Sequence, residues 1–93
     1  MRTPNETIYK WGGVAHTFYF ENGFGASVVC HEYSYGYEAG LLEIAVLRQD
    51  DRGWGICYDT PITSDVIGYL TEEEVDDILN QIEALPATTG KSE

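Results

Sequence analysis

The sequence predicts an α+β domain: a four-stranded antiparallel sheet with one C-terminal helix packed on one face. Three observations predict it. Between residues 15 and 58, short apolar segments with period-two alternation recur between Gly- and Asp-rich turns, the pattern of an antiparallel meander. Asn22-Gly23 separates the first two of these segments and accepts the backbone of a tight hairpin turn. After residue 70 the apolar period changes to 3.6, within one segment that opens on a capping signal.

Taken in order, residues 1–10 are polar, hold Pro4 and Asn5, and read as a flexible arm ahead of Trp11-Gly12-Gly13. In residues 15–22 (AHTFYFEN), Phe18 and Phe20 take one face of a strand, and Thr17, Tyr19 and Glu21 take the other. The second strand, residues 26–33, pairs antiparallel with the first. Residues 34–40 (SYGYEAG) form an exposed, tyrosine-rich loop. In the third strand, residues 41–48, Leu42, Ile44 and Val46 share one face, while Leu41, Glu43, Ala45 and Leu47 share the other. Apolar groups on both faces mark it as central. A polar turn at residues 49–53 leads to a fourth strand, WGICY, in which Trp54, Ile56 and Tyr58 alternate.

Residues 60–70 show neither period. Thr60-Pro61 stops the strand, and Ser64 reads as the cap of a single turn through Leu70. The helix over residues 71–85 is the clearest element. Thr71 and Glu74 make a capping box, Glu72, Glu73 and Glu74 suit the positive end of the helix dipole, and Val75, Ile78, Leu79, Ile82 and Leu85 form one apolar stripe. Pro86 ends it, and residues 87–93 are a polar tail.

With 16 acidic against 5 basic residues in 93, the formal charge is −11 at pH 7 and the pI is near 4.3. Such a chain does not neutralise phosphates, which excludes unaided binding along DNA or RNA and attraction to anionic membranes. An apolar share of 43%, with 13% aromatic, separates it from disordered acidic tails and supports one folded domain over residues 1–93. No segment approaches the ~20 apolar residues that cross a bilayer. Cys30 and Cys57 are 27 positions apart in strand-like segments, and residues 1–10 lack an apolar signal core, so two reduced, buried thiols in a cytoplasm are expected.

No catalytic, cofactor-binding or metal-ligating residue emerges, and the chain reads as a non-enzyme. Adjacent strand residues such as Cys30 and His31 point to opposite faces and do not form a nucleophile and base; Cys57 with a histidine stays open. Residues 49–53 supply Asp50 and Asp51 but not the alternate oxygen ligands of a calcium loop. Gly23-Phe24-Gly25 and Gly53-Trp54-Gly55 precede no helix and cradle no phosphate. Two features remain as partner-binding candidates. Tyr33, Tyr35 and Tyr37 alternate beside Glu32 and Glu38, in the residue type favoured as an interface anchor. The charge is also uneven, net −2 over residues 1–48 and net −9 over residues 49–93. On the helix, Glu72, Glu73, Glu74, Asp76, Asp77 and Glu83 have no base among them, an array that serves solubility or meets a cationic partner.

The blocks ENGFGASVV, GLLEIAVL and CYDTPITSDVIGYLTEEEV, 36 of the 93 residues, resemble a group of small bacteriophage-encoded proteins. The resemblance carries over no catalytic residue and implies a phage product acting in a host bacterial cytoplasm. By analogy with small acidic phage inhibitors of the anti-CRISPR or anti-restriction type, the expected function is blockade of a basic, nucleic-acid-binding bacterial host or defence protein. Glu72, Glu73, Asp76, Asp77 and Glu83, with Tyr33, Tyr35 and Tyr37, are the expected contacts. Two alternatives stand beside it: a small-ligand binder that sequesters a nucleotide signal, and a structural homo-oligomer.

Overall fold

The computed structural model describes residues 1–87. Residues 88–93 of the expected tail lie outside the described residues. The chain forms β1 (Glu6–Lys10), β2 (Gly13–Tyr19), β3 (Phe24–Cys30), a 3-10 turn (Tyr37–Ala39), β4 (Leu42–Asp50), β5 (Gly53–Ile56), β6 (Ile67–Leu70) and α1 (Glu72–Glu83). All strand pairs are antiparallel in one curled sheet of order β1-β2-β3-β4-β5, with β6 also paired to β4. The fold is therefore α+β with one C-terminal helix, as the patterning predicts, but the sheet has six strands, not four.

The two additional strands were concealed for different physical reasons. β1 occupies what reads as a flexible arm. Every one of its residues is exposed, so no buried face imprints a hydrophobic alternation. Pairing holds it instead: the ladder runs from Glu6 opposite Thr17 to Lys10 opposite Gly13. Tyr19 Oη donates to Glu6 Oε1 at 3.1 Å, and Thr7 Oγ1 lies 3.0 Å from His16 Nδ1. β6 replaces the expected turn through Leu70. Leu70 opposes Leu42 and Ile67 opposes Ile44, so Gly68 and Tyr69 together face Glu43 alone. That is a β-bulge. It lets two apolar residues three apart reach the same core, a spacing that imitates a helix.

β4 organises the sheet. One edge pairs with β3, and the other is divided, Leu47–Asp50 going to β5 and Leu42 and Ile44 to β6. Even-numbered residues of the three inner strands face the helix. Phe18, Ala26, Val28, Leu42, Ile44 and Val46 meet Val75, Leu79 and Ile82 of α1, with Leu70 and Cys57 completing the buried cluster. Val75, Leu79 and Ile82 are fully buried, so truncating any one leaves a cavity within a close-packed layer.

The capping box is present. Glu74 N donates to Thr71 Oγ1 at 3.2 Å, and Thr71 N donates to Glu74 Oε1 at 2.9 Å. The helix ends at Glu83 with Ala84 as its C-cap, two residues short of the predicted limit, while Leu85 still packs against the core. No basic residue lies in its last turn. The carbonyls there find a donor across the molecule: Asn22 Nδ2, in the β2–β3 turn, donates to the oxygens of Ile82, Glu83 and Leu85 at 2.9, 3.1 and 3.0 Å. Asn22 Oδ1 meanwhile accepts from Phe24 N at 3.0 Å, so one side chain shapes the hairpin and closes the helix.

This predicts a selective effect of Asn22→Asp, which keeps the bond to Phe24 but loses the cap and sets an anion against the negative end of the dipole. The substitution costs about 2 kcal/mol, against about 1 kcal/mol for Asn22→Ala. Urea unfolding with both variants measures it, and an Asn22→Asp protein as stable as the parent would contradict the cap.

Candidate interaction surface

The antiparallel order brings the β1–β2 turn, the loop after β3, the end of β6 and the start of α1 to one end of the molecule. The loop is built on a buried pair. His31 N donates to Ser34 Oγ at 2.9 Å, Ser34 Oγ donates to His31 O at 2.9 Å, and Tyr33 N donates to His31 Nδ1 at 3.1 Å. This tight turn faces His31 and Ser34 inward and turns the Tyr33 ring out. Tyr35 N donates to Glu43 Oε1 at 2.8 Å, which fastens the loop to β4 opposite the bulge.

Tyr33, Tyr35 and Tyr37 therefore take different places. Tyr33 and Tyr35 are exposed, at 74% and 60%, whereas Tyr37 is half-buried and its hydroxyl donates to Gly12 O at 3.3 Å, tying the loop to the β1–β2 turn. Two aromatic residues that sequence reading did not include join them. Trp11, 51% exposed, contacts the His31 and Tyr33 rings edge to face at 4.9 and 5.5 Å. Tyr69, 65% exposed, stacks near-parallel on Tyr35, with centroids 6.5 Å apart. Lys10 Nζ sits 4.3 Å above the Trp11 ring.

Tyr69 has φ +59°, a left-handed backbone that a bulky residue adopts only under constraint. The bulge supplies the constraint, and two glycines allow it. A Cβ on Gly68 would stand 2.5 Å from Tyr35 Cβ, and one on Gly36 would stand 3.1 Å from the Tyr69 Cα. The loop and β6 thus lie in close contact, Gly36 against the Tyr69 backbone and Gly68 against the Tyr35 side chain, and a side chain at either position would separate them.

The helix acids divide into two groups. Arg2 crosses α1: its guanidinium lies 2.9 Å from Glu83 Oε1 and donates to Asn80 Oδ1 at 2.9 Å, its backbone N donates to Asp76 Oδ1 at 2.8 Å, and it stands 5.2 Å above the Phe20 ring. The Met1 amino group lies 3.3 Å from Glu72 and 3.7 Å from Asp76. Glu72, Asp76 and Glu83 therefore hold the chain's own first residues. Glu73 and Asp77 are exposed, and among the described residues neither forms an ion pair. Glu72, Glu73 and Glu74 begin three residues after Tyr69, so the acidic first turn lies at the same end as the aromatic cluster.

Elsewhere, the Cys57 thiol donates to Asp59 Oδ1 at 2.8 Å. Burial, then the bond to Asp59, pushes the thiol above its ordinary pKa; the thiol bond and the Arg48 guanidinium at 3.8 Å hold Asp59 below the usual carboxylate range. Both histidines bond elsewhere, His16 with Thr7 and His31 within its loop. Both cysteines are free, and among the described residues no three His, Cys, Asp or Glu side chains are arranged to hold a metal ion. No helix among the described residues is long and apolar enough to cross a membrane.

Two outcomes follow. Asp59→Asn removes the group that disfavours the thiolate, so alkylation of Cys57 by iodoacetamide at pH 8 accelerates severalfold; an unchanged rate would contradict the Asp59 contribution. Gly68→Ala forces Tyr35 from Tyr69, so the near-UV circular dichroism of tyrosine weakens while the far-UV spectrum is kept; an unaltered near-UV spectrum would contradict the close packing. In comparisons with known proteins, no family model, no curated protein and no solved structure matches this chain.

Proposed function

We propose that this chain is a non-enzymatic interaction module that binds a basic protein surface, of the kind that otherwise holds nucleic acid, and blocks it. The resemblance to phage-encoded proteins supports a bacterial host or defence protein as the target, in the manner of an anti-CRISPR or anti-restriction inhibitor. The observation that carries the reading is the concentration of exposed Trp11, Tyr33, Tyr35 and Tyr69 at the end that also presents Glu32, Glu38 and the acidic first turn of α1. Single exposed aromatics are ordinary on protein surfaces, whereas a cluster rimmed by charge of one sign is a binding feature.

Its chemistry favours a cationic partner. The aromatics supply area that is desolvated on contact, and the acids supply steering, which raises the association rate and weakens with ionic strength. The helix contributes through Glu73 and Asp77 rather than as one continuous row, because Glu72, Asp76 and Glu83 are already engaged by the Met1 amino group and Arg2. Phosphate-rich ligands are repelled by the same field.

The test is a binding titration of the full chain against purified basic, nucleic-acid-binding bacterial proteins, each with and without its nucleic acid. A target protein binds, loses affinity by about tenfold or more between 50 and 200 mM salt, and is displaced by its own nucleic acid. Trp11→Ala reduces that affinity by about tenfold or more while the fold is kept. Affinity independent of salt, or binding undisturbed by nucleic acid, would overturn the reading.

A further inference from the structure

We propose that the groove between the 3-10 turn and β6 is the seat for one arginine side chain of the basic partner. The inference rests on the interaction-module reading and names the group that the surface takes. The groove has a volume of about 390 Å³, and its wall includes Glu32, Ser34, Tyr35, Tyr37, Glu38 and Tyr69. That volume admits a side chain and leaves room for its hydration.

Three features select a guanidinium. The first is aromatic surface: Tyr35 and Tyr69 present ring faces inclined by only 27°, on which a planar cation stacks. The second is charge. Glu32 and Glu38 are exposed, and among the described residues no cation is paired with either, so two carboxylates at the groove are free to accept the forked N–H donors. The third is precedent within the same patch, where Lys10 already rests on the face of Trp11. An ammonium offers one hydrated point charge; a guanidinium stacks and donates in one plane at once.

The groove is also organised before any partner arrives. Tyr35 N is bonded to Glu43, the Tyr37 hydroxyl to Gly12 O, and the absence of a side chain at Gly36 and Gly68 lets them pack against the Tyr69 backbone and the Tyr35 side chain. Little ordering is then required on binding. A nucleotide base could stack on the same tyrosines, but its phosphate would meet Glu32 and Glu38, so arginine is the occupant the charge favours.

The experiment titrates the full chain with two fluorescent decapeptides, one carrying arginine and the other lysine at the same positions, by anisotropy in 50 mM salt. The arginine peptide binds about fivefold or more tightly than the lysine peptide. Tyr35→Ala and Tyr69→Ala each abolish the preference, Tyr69→Phe keeps it, and Glu32→Gln with Glu38→Gln weakens binding of the arginine peptide. Asp51→Asn, in the exposed turn between β4 and β5, leaves the ratio of the two affinities unchanged. Far-UV circular dichroism confirms that each variant is folded, and Tyr69→Phe serves as the conservative control should an alanine variant unfold. Equal affinity for both peptides, or an arginine preference that survives Tyr69→Ala, would overturn the groove assignment. If both peptides bind equally with salt-dependent affinity, the groove assignment falls and the interaction module stands. If neither peptide and no basic protein binds, both fall.

Discussion

One edge of β4 must satisfy two strands, and much of the molecule follows from how it does so. β5 takes the half that ends at Asp50, and β6 takes the half that begins at Leu42. β6 enters with both Ile67 and Leu70 facing the core, three positions apart, and a regular strand cannot place both there. The extra residue of the bulge resolves the conflict. Its consequence is local: Tyr69 takes a left-handed backbone and turns outward onto Tyr35. The packing demand of the core thereby sets the geometry of the surface proposed to bind.

The helix depends on the same sheet at both ends. Its start follows directly on β6, so the capping box at Thr71 is positioned by the pairing of Leu70 with Leu42. Its end lacks a basic residue and takes its donor from Asn22, while Arg2 spans the exposed side to Asp76 and Glu83. Charge that looks unopposed along the helix sequence is thus partly opposed by residues about 74 to 81 positions earlier. A salt-accessible pair such as Arg2–Glu83 adds about 0–1 kcal/mol, so its importance lies more in occupying those carboxylates than in stability.

Legibility in the sequence followed the strength of local physical signals. Asn22-Gly23, the alternation of Leu42, Ile44 and Val46, and the Thr71–Glu74 box are local, and each marks the element it predicts. β1 was illegible because no face of it is buried, and β6 because a bulge breaks the period by which strands are recognised. At the surface, Tyr33 and Tyr35 were visible as an alternating pair. Tyr69 was not, because its partner lies 34 positions away and only the bulge turns it there. Trp11 reads as turn punctuation until the hairpin places it against His31 and Tyr33. The helix acids were read as one row because Arg2, far off in sequence, gives no local sign of crossing them.

The net charge of −11 restricts the partner's chemistry, and the aromatic end restricts where that partner sits. A surface with acids alone would attract cations without fixing them; exposed rings held by a bulge and by glycine contacts add a defined shape. The central claim is that this end, rather than the helix row, receives the basic partner. Backbone amide shift mapping by NMR, with an arginine-rich peptide added to the isotopically labelled chain, tests it most directly. Perturbations centred on residues 10–12, 31–43 and 67–74 are expected, and perturbations centred on residues 76–83 would contradict the claim.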